Sequence, residues 1–415
     1  MNNHHNLIVI GGGTGGIMIA SQMRRKNPGF SIAIVEPADT HHYQPAWTLV
    51  GANTYPIEKT KRPMSSVIPK GVKWIKEYAE SFQPEKNTIT TKDGNVLSYD
   101  FLVVAPGLVM APQLVEGLTE AMDKGMVCSN YTDPEHTWEV LQKFEKGTAL
   151  FTQPTTPIKC GGAPQKIMYL AEHYFQKSGK RKNIDVVFAT PGTVIFGTPE
   201  IKKTLLEVNE RKDINLRFGY NLVGVDAQEQ IAWYEMAEHE REVNHKDVEV
   251  IQDGKRKGVR FGMMHLAPPQ AAPAFIKNSP LANEEGWVSV DHGTMQHTKY
   301  KNIFSVGDAS ALPTAKTGAA IRKQVPIVVE NIIRLKNAQD LSDKRYNGYS
   351  SCPLVTGYGK MVLAEFDYDN KFTPDPKLKQ MLVFDSSKES WRLWMLKKYM
   401  LPYLYWNKMM KGLDV

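Results

Sequence analysis

The sequence predicts an α/β protein with two Rossmann-like dinucleotide-binding domains and an amphipathic C-terminal region. Three observations carry that expectation. A glycine-rich turn stands between an apolar run and a helix near the start, a second strand-helix-strand pattern begins near Thr148, and the stretch NIFSVGDAS at Asn302–Ser310 returns to strand-and-turn chemistry late in the chain. A chain of 415 residues also exceeds what one hydrophobic core usually holds. The expected division is 1–110 and 266–340 for a nucleotide domain in two parts, 111–265 for the second unit, and 341–415 for the C-terminal region.

The elements follow in order. Leu7–Ile10 is a short apolar run, Gly11–Gly16 a turn, and Ile17–Lys26 has helical spacing closed by Pro28 and Gly29. Ser31–Val35 is a second strand that ends at Glu36, and Val72–Tyr78, Thr88–Thr91 and Phe101–Val104 read as further strands. The second unit predicts a strand at Ala149–Thr152, a helix over Pro164–Gln176 and a strand at Ile184–Ala189. Asn209–Lys257 reads as strands and excursions, Val288–Val290 as a short strand, and a helix starts about Thr317, which is a good N-cap residue. No repeat of fixed period is visible.

Composition removes several classes of function. With 42% hydrophobic and 23% charged residues the chain reads as folded, not disordered. Its net charge of +7 forms no compact basic stripe with interleaved aromatics, so nucleic acid is not expected as a partner. The three cysteines, 128, 160 and 352, have no metal-type spacing, so no metal site is expected. No apolar run reaches the about 18 residues a spanning helix needs. With the first strand beginning at Leu7, no targeting segment is read either.

Gly11, Gly13 and Gly16 form G-x-G-x-x-G, read here as GGGTGG. The first allows the tight turn, the second lets backbone approach a pyrophosphate, and the third lets helix and strand pack closely. The helix N-terminus adds free N–H groups and positive partial charge. Glu36, 20 residues after Gly16, can accept hydrogen bonds from ribose hydroxyls. VVAPG at Val103–Gly107 and NIFSVGDAS resemble the two later motifs of flavoproteins with two dinucleotide domains, which implies FAD, with Asp308 at the ribityl chain. The helix opening KTGAA would aim its N-terminus at the flavin, with Lys316 and Gly318 beside it. Thr14, Gly15, Gln44 and Ala79 are further expected flavin contacts. The stretch IDVVFATPGTVIFGTP lacks a second glycine fingerprint, so no nicotinamide donor is expected.

Cys160 lies in IKCGGAPQK, just before a helix that Pro164 would open, with Lys159 and Lys166 nearby. A helix N-terminus and lysines lower a thiol pKa, and Gly161 and Gly162 leave space around the sulfur. Cys352 stands in SSCPLVTGYGKMVLAEFDYD, where Pro353 denies a regular helix. The stretches PIKCGGAPQKIMYLAE, YNGYSSCPLVTGYGKMVLAEFDYD, EPADTHHYQPAWTLVGA and PYLYWNKMMKG closely resemble the sulfide:quinone oxidoreductase family, in the branch with the mitochondrial enzymes. The resemblance implies that Cys160 and Cys352 are a catalytic redox pair beside FAD, bridged as a disulfide or through an extra sulfur. Sulfide would leave a persulfide on Cys352 and a thiolate on Cys160. The sulfane sulfur would pass to glutathione, sulfite, coenzyme A or more sulfide, and the electrons to ubiquinone or menaquinone. Cys128 matches neither cysteine motif and reads as an accessory or buried thiol.

From Lys388 to the chain end there are six basic and two acidic residues among tryptophans and tyrosines. On a helical wheel Tyr403, Tyr405, Trp406, Met409 and Met410 share one side, opposite Asn407, Lys408 and Lys411, whereas Trp391–Leu401 does not segregate. With the resemblance, this implies monotopic attachment to a membrane surface. The membrane would be the bacterial cytoplasmic one, or the mitochondrial inner one for a processed eukaryotic chain. Tyr358, Phe366 and Phe384 are candidates for a quinone slot. A homo-oligomer is compatible with the sequence. The alternatives are an NADH:quinone reductase, a flavocytochrome-type sulfide dehydrogenase and a flavin-stabilised protein without catalysis.

Overall fold

The structure is a computed structural model that describes residues 3–123, 125–244 and 248–414; Met1 and Val415, which end the expected domain division, lie outside the described residues. The chain runs β1 (His4–Ile10), α1 (Thr14–Lys26), β2 (Ile32–Val35), β3 (Lys73–Ile75), β4 (Ala79–Gln83), β5 (Thr88–Thr91) and β6 (Val96–Val104). The second unit follows as β7 (Val127–Cys128), β8 (Gly147–Thr152), α2 (Ala163–Lys177), β9 (Ile184–Thr190), α3 (Pro199–Arg211), β10 (Asn215–Asp226), β11 (Ile231–Val243), β12 (Val250–Asp253), β13 (Arg256–Arg260) and β14 (Met263–Leu266). Then come β15 (Ile303–Ser305), α4 (Gly318–Lys336), the hairpin β16 (Ser350–Gly357) and β17 (Lys360–Phe366), α5 (Trp391–Met395) and α6 (Leu401–Asn407).

The first sheet has the order β3-β2-β1-β6-β5-β4. Its centre is parallel, with Leu7 opposite Ile32 and Phe101. Leu7, Ile8, Val9 and Ile10 are all buried, as expected for a strand covered on both faces. β15 joins β6 in parallel, Ile303 against Leu102, so a strand about two hundred residues later completes the sheet beside the glycine turn. The second sheet has the order β7-β14-β8-β9-β10-β11-β13-β12. Its β8-α2-β9-α3-β10 core is parallel, and β11, β12 and β13 extend it as an antiparallel meander.

Three expectations change. Asn209 belongs to α3, whose Ile201, Leu205 and Val208 recur at helical spacing and are buried. Val288 and Val290 make only isolated bridges, Val288 to Ala282 and Ser310 and Val290 to His297, in place of a strand. The wheel for the C-terminus is out of phase with the backbone. A π-turn at Leu396–Met400 separates α5 from α6, and α6 ends at Asn407 before Met409 and Met410. Each break resets the angular register that a single wheel assumes. Consequently Tyr405, Met409 and Met410 are buried on the nucleotide domain, while Trp391, Met395, Tyr399, Met400 and Tyr403 are exposed.

Candidate functional site

The glycine turn after β1 fits a dinucleotide by its contacts. Gly11 has φ +97°, in the left-handed region, and a Cβ on Gly16 would lie 1.8 Å from the Gly11 carbonyl oxygen. A Cβ on Gly15 would meet Val306 at 3.0 Å, whereas Gly13, the N-cap of α1, faces open space. Both Glu36 carboxylate oxygens accept backbone N–H groups, from Gly12 and Ala38, each at 2.7 Å. Each keeps acceptor capacity for a hydroxyl. Thr14 opens α1, and its hydroxyl is 2.8 Å from that of Tyr405. Ala79 is the buried first residue of β4.

The second half of the cradle comes from the segment after β15. Thr317 caps α4 as expected, accepting from the Ala320 N–H at 3.1 Å, and Gly318 faces open space at the helix N-terminus. Burial raises the Asp308 carboxyl pKa, opposed by Lys159 and Lys316. Lys316 does not extend toward this opening. Its ammonium donates to the carbonyls of Asp308 and Ser310, at 2.7 and 3.2 Å, and lies 4.0 Å from the centre of the Trp287 ring. Burial depresses it to about 8. Two open helix N-termini, a half-buried acid and a close-packed glycine turn suit FAD, whose charged and polar parts need those partners.

The cysteines of the two distant stretches meet beside this cradle. Cys160 lies on the turn between β8 and α2, the place where a second glycine fingerprint would stand in a nucleotide-binding unit. The stretch IDVVFATPGTVIFGTP, which also lacks the fingerprint, includes β9 and the turn after it, one strand beyond that place. Cys160 has φ +54°, unusual for a residue with a side chain. Its backbone is held by three hydrogen bonds: its N–H donates to Lys316 O at 2.8 Å, and its carbonyl accepts from Tyr131 Oη at 3.2 Å and Ala163 N at 2.7 Å. Pro164 falls in the first turn of α2 behind Ala163, with Gly162 as N-cap.

Cys352 is on β16 opposite Ala364, and the two thiols are unbridged and hydrogen-bonded to each other. A Cβ on Gly162 would lie 2.5 Å from Cys352 Sγ and 2.5 Å from Leu354, so this glycine supplies the clearance that lets the turn reach β16. Gly161 faces open space instead. The hydrogen bond from Cys352 and the Lys166 ammonium, 2.9 Å from Cys160 Sγ, hold the Cys160 thiol well below its usual pKa against the effect of burial. The Cys352 thiol is pushed up by the same pairing and by burial. One thiolate and one thiol is therefore the favoured state.

Two lysines divide differently from expectation. Lys159 turns away to the exposed Gln44, whose Oε1 accepts from its ammonium, while Lys166 supplies the cation to Cys160. A third lysine, Lys397, carried no sequence signal within LKKYM. It is buried on the C-terminal π-turn and donates to Pro45 O at 2.6 Å. Burial first, then Lys166, depress it to about 7, while both cysteines oppose that shift. Cys128 is buried with its pKa pushed up to about 12 by desolvation. Among the described residues no His, Cys, Asp and Glu group could hold a metal ion.

The aromatic quinone candidates do not converge. Tyr358 is at the turn of the β16–β17 hairpin, donating to Ala52 O, whereas Phe366 pairs with Ser350 at the opposite end and packs on Phe196. Phe384 is exposed elsewhere. A cavity of about 660 Å³ opens beside Ala315 and Lys316, lined also by Trp287, Phe196 and Phe366.

The pyridine nucleotide-disulphide oxidoreductase family matches residues 5–159. The chain is 41% identical to the mitochondrial sulfide:quinone oxidoreductase of Mus musculus over 99% of its own length and 87% of that protein. The corresponding enzyme of Dictyostelium discoideum is 41% identical with the same coverages. The X-ray structure of the sulfide:quinone oxidoreductase of Aquifex aeolicus superposes with a TM-score of 0.79 at 22% identity, covering 99% of this chain and 92% of that one.

Proposed function

The chain belongs to the sulfide:quinone oxidoreductase family, and on that premise we propose that Cys160 and Cys352 are the redox pair of its reaction. It is a flavin-dependent enzyme that takes electrons from sulfide and delivers them to quinone. The observation that supports the cysteine assignment is the contact between two thiols of opposed acidity at the edge of the flavin cradle. The turn that would bind a nicotinamide nucleotide carries Cys160 instead, which favours sulfide over NADH as the donor.

In the oxidised enzyme the pair is a disulfide. Hydrosulfide attacks Cys352 Sγ, forming one S–S bond as the Cys160–Cys352 bond breaks, so that Cys352 carries the persulfide and Cys160 leaves as thiolate. Lys166 stabilises that leaving thiolate and Cys352 needs no ionisation of its own, which matches the acidity of each. A small nucleophile, thiol or sulfite, then takes the outer sulfur and leaves Cys352 as a thiol. Re-forming the disulfide releases two electrons and the thiol proton; FAD held by the glycine turn and the α4 N-terminus would supply the two-electron acceptor between the cysteines and quinone.

Among the described residues no helix is long and apolar enough to cross a membrane. Attachment to a membrane surface is assigned to the exposed stripe Trp391, Met395, Tyr399 and Tyr403, which recurs every four residues beside Arg392 and Lys398. Trp391, Met395 and Tyr399 fall in the stretch the wheel leaves unsegregated, and Tyr403 on its apolar side. The test of function is anaerobic: sulfide bleaches the flavin of the wild type, and Cys160→Ser and Cys352→Ser retain FAD but resist bleaching. Wild-type rates of flavin and quinone reduction in both variants overturn the proposal.

A further inference from the structure

The C-terminal helix α6 reaches back to the glycine turn at the other end of the sequence. Tyr405 Oη lies 2.6 Å from His41 Nε2 and 2.8 Å from Thr14 Oγ1, and His41 Nδ1 lies 2.8 Å from the Gly12 carbonyl oxygen. The donors can be resolved from these contacts. A carbonyl only accepts, so His41 carries its proton on Nδ1, and burial, which lowers its pKa, keeps the ring neutral. Nε2 is then an acceptor, so the Tyr405 hydroxyl donates to it, and the Thr14 hydroxyl donates to Tyr405. The chain of bonds runs Thr14 to Tyr405 to His41 to the Gly12 carbonyl, closing a loop around the turn.

The surrounding contacts make that loop rigid. The Tyr405 ring packs 4.5 Å from the centre of Tyr43 and 5.0 Å from that of Trp406, which Arg62 covers. Beyond α6, Ser21 of α1 donates to Met410 O at 2.7 Å, and a Cβ on Gly412 would meet the Ser21–Gln22 backbone at 2.6–2.7 Å. Buried and half-buried hydrogen bonds linked in this way fix one arrangement because leaving any member unpaired is costly.

We infer that Tyr405 and His41 are positioning residues for the flavin diphosphate: the C-terminal segment is a strap that holds the Gly12–Thr14 turn in its phosphate-binding shape. Neither residue donates to the phosphate; both act through the turn. The inference rests on FAD binding at this turn and is independent of the cysteine mechanism, because its readout is flavin affinity without sulfide.

The decisive variant is Tyr405→Phe, which retains the ring packing and removes one hydroxyl. Loss of the two hydrogen bonds that hydroxyl makes, felt only in part at the phosphate turn, predicts FAD dissociation constants about fivefold to tenfold larger, measured by flavin fluorescence on reconstituting the full-length apoprotein. Thr14→Ala breaks the same chain, so the double variant binds FAD no worse than the weaker single one. Since linkage is reciprocal, FAD also slows proteolysis within 398–408 in the wild type, and less so in Tyr405→Phe. An FAD affinity within twofold of wild type in Tyr405→Phe, additive losses in the double variant, or cleavage unaffected by FAD each overturn the inference.

Discussion

Replacing Lys166 by methionine retains most of the stem and deletes the charge that lies 2.9 Å from Cys160 Sγ. A hydrogen bond to a charged group contributes about 1.5–3 kcal/mol, and one pH unit corresponds to about 1.36 kcal/mol. The Cys160 ionisation should therefore move up by roughly one to two pH units. Lys166 is buried and Cys160 half-buried, so salt does little to mask the effect. Cys352 still donates its hydrogen bond, so the shift should fall short of abolishing the depressed value. The assay is alkylation of Cys160 in the reduced holoenzyme, followed across pH by peptide mass spectrometry. The sign also shows in stability. A depressed thiol contributes most above its unfolded pKa of about 8.5 and loses that contribution as pH falls through the folded value; Lys166, raised by the cysteines, contributes most below about 10.4. The stability lost in the variant is thus greatest between those limits and shrinks toward acid. An alkylation midpoint in Lys166→Met within a few tenths of a unit of wild type would refute the ion-pair reasoning.

Gly162→Ala places a methyl group 2.5 Å from both Cys352 Sγ and Leu354, an overpacking expected to cost about 1–3 kcal/mol; flavin content should persist while sulfide-driven bleaching slows sharply, and an unimpaired rate would show that the thiols need no such approach. Lys397 titrates at about 7 in the fold and about 10.4 unfolded, so between those values the unfolded chain holds the extra proton. Wild-type melting temperature should therefore rise relative to Lys397→Met across that window, and a flat difference would contradict burial of the ammonium. Substituting Trp391, Tyr399 and Tyr403 together by serine should weaken co-sedimentation with phospholipid vesicles by about tenfold or more. Equal sedimentation would move the attachment surface elsewhere.

Much of the fold was legible because its signals are local. The glycine turn, the strand ending at Glu36 and the Thr317 cap each depend on neighbours a few residues away, and the α2 helix on its own apolar face. The placement of the aromatic candidates was not legible because a hairpin sends Tyr358 and Phe366 to opposite ends, which residue type does not encode. The C-terminal wheel failed because two breaks in the helix change its phase, burying Tyr405 and exposing Trp391.

By itself the sequence determined the class of fold and the glycine turn and, through its resemblance, pointed to Cys160 and Cys352, since backbone freedom at glycine and short-range periodicity are properties of the chain. Only the tertiary structure decided that Gly162 is the clearance for Cys352, that Lys166 and not Lys159 faces Cys160, and that Lys397 and Tyr405 return from the C-terminus to the two halves of the site. Charge and hydrogen bonding act over a few ångströms of space, and the groups that meet here lie up to 391 positions apart along the chain.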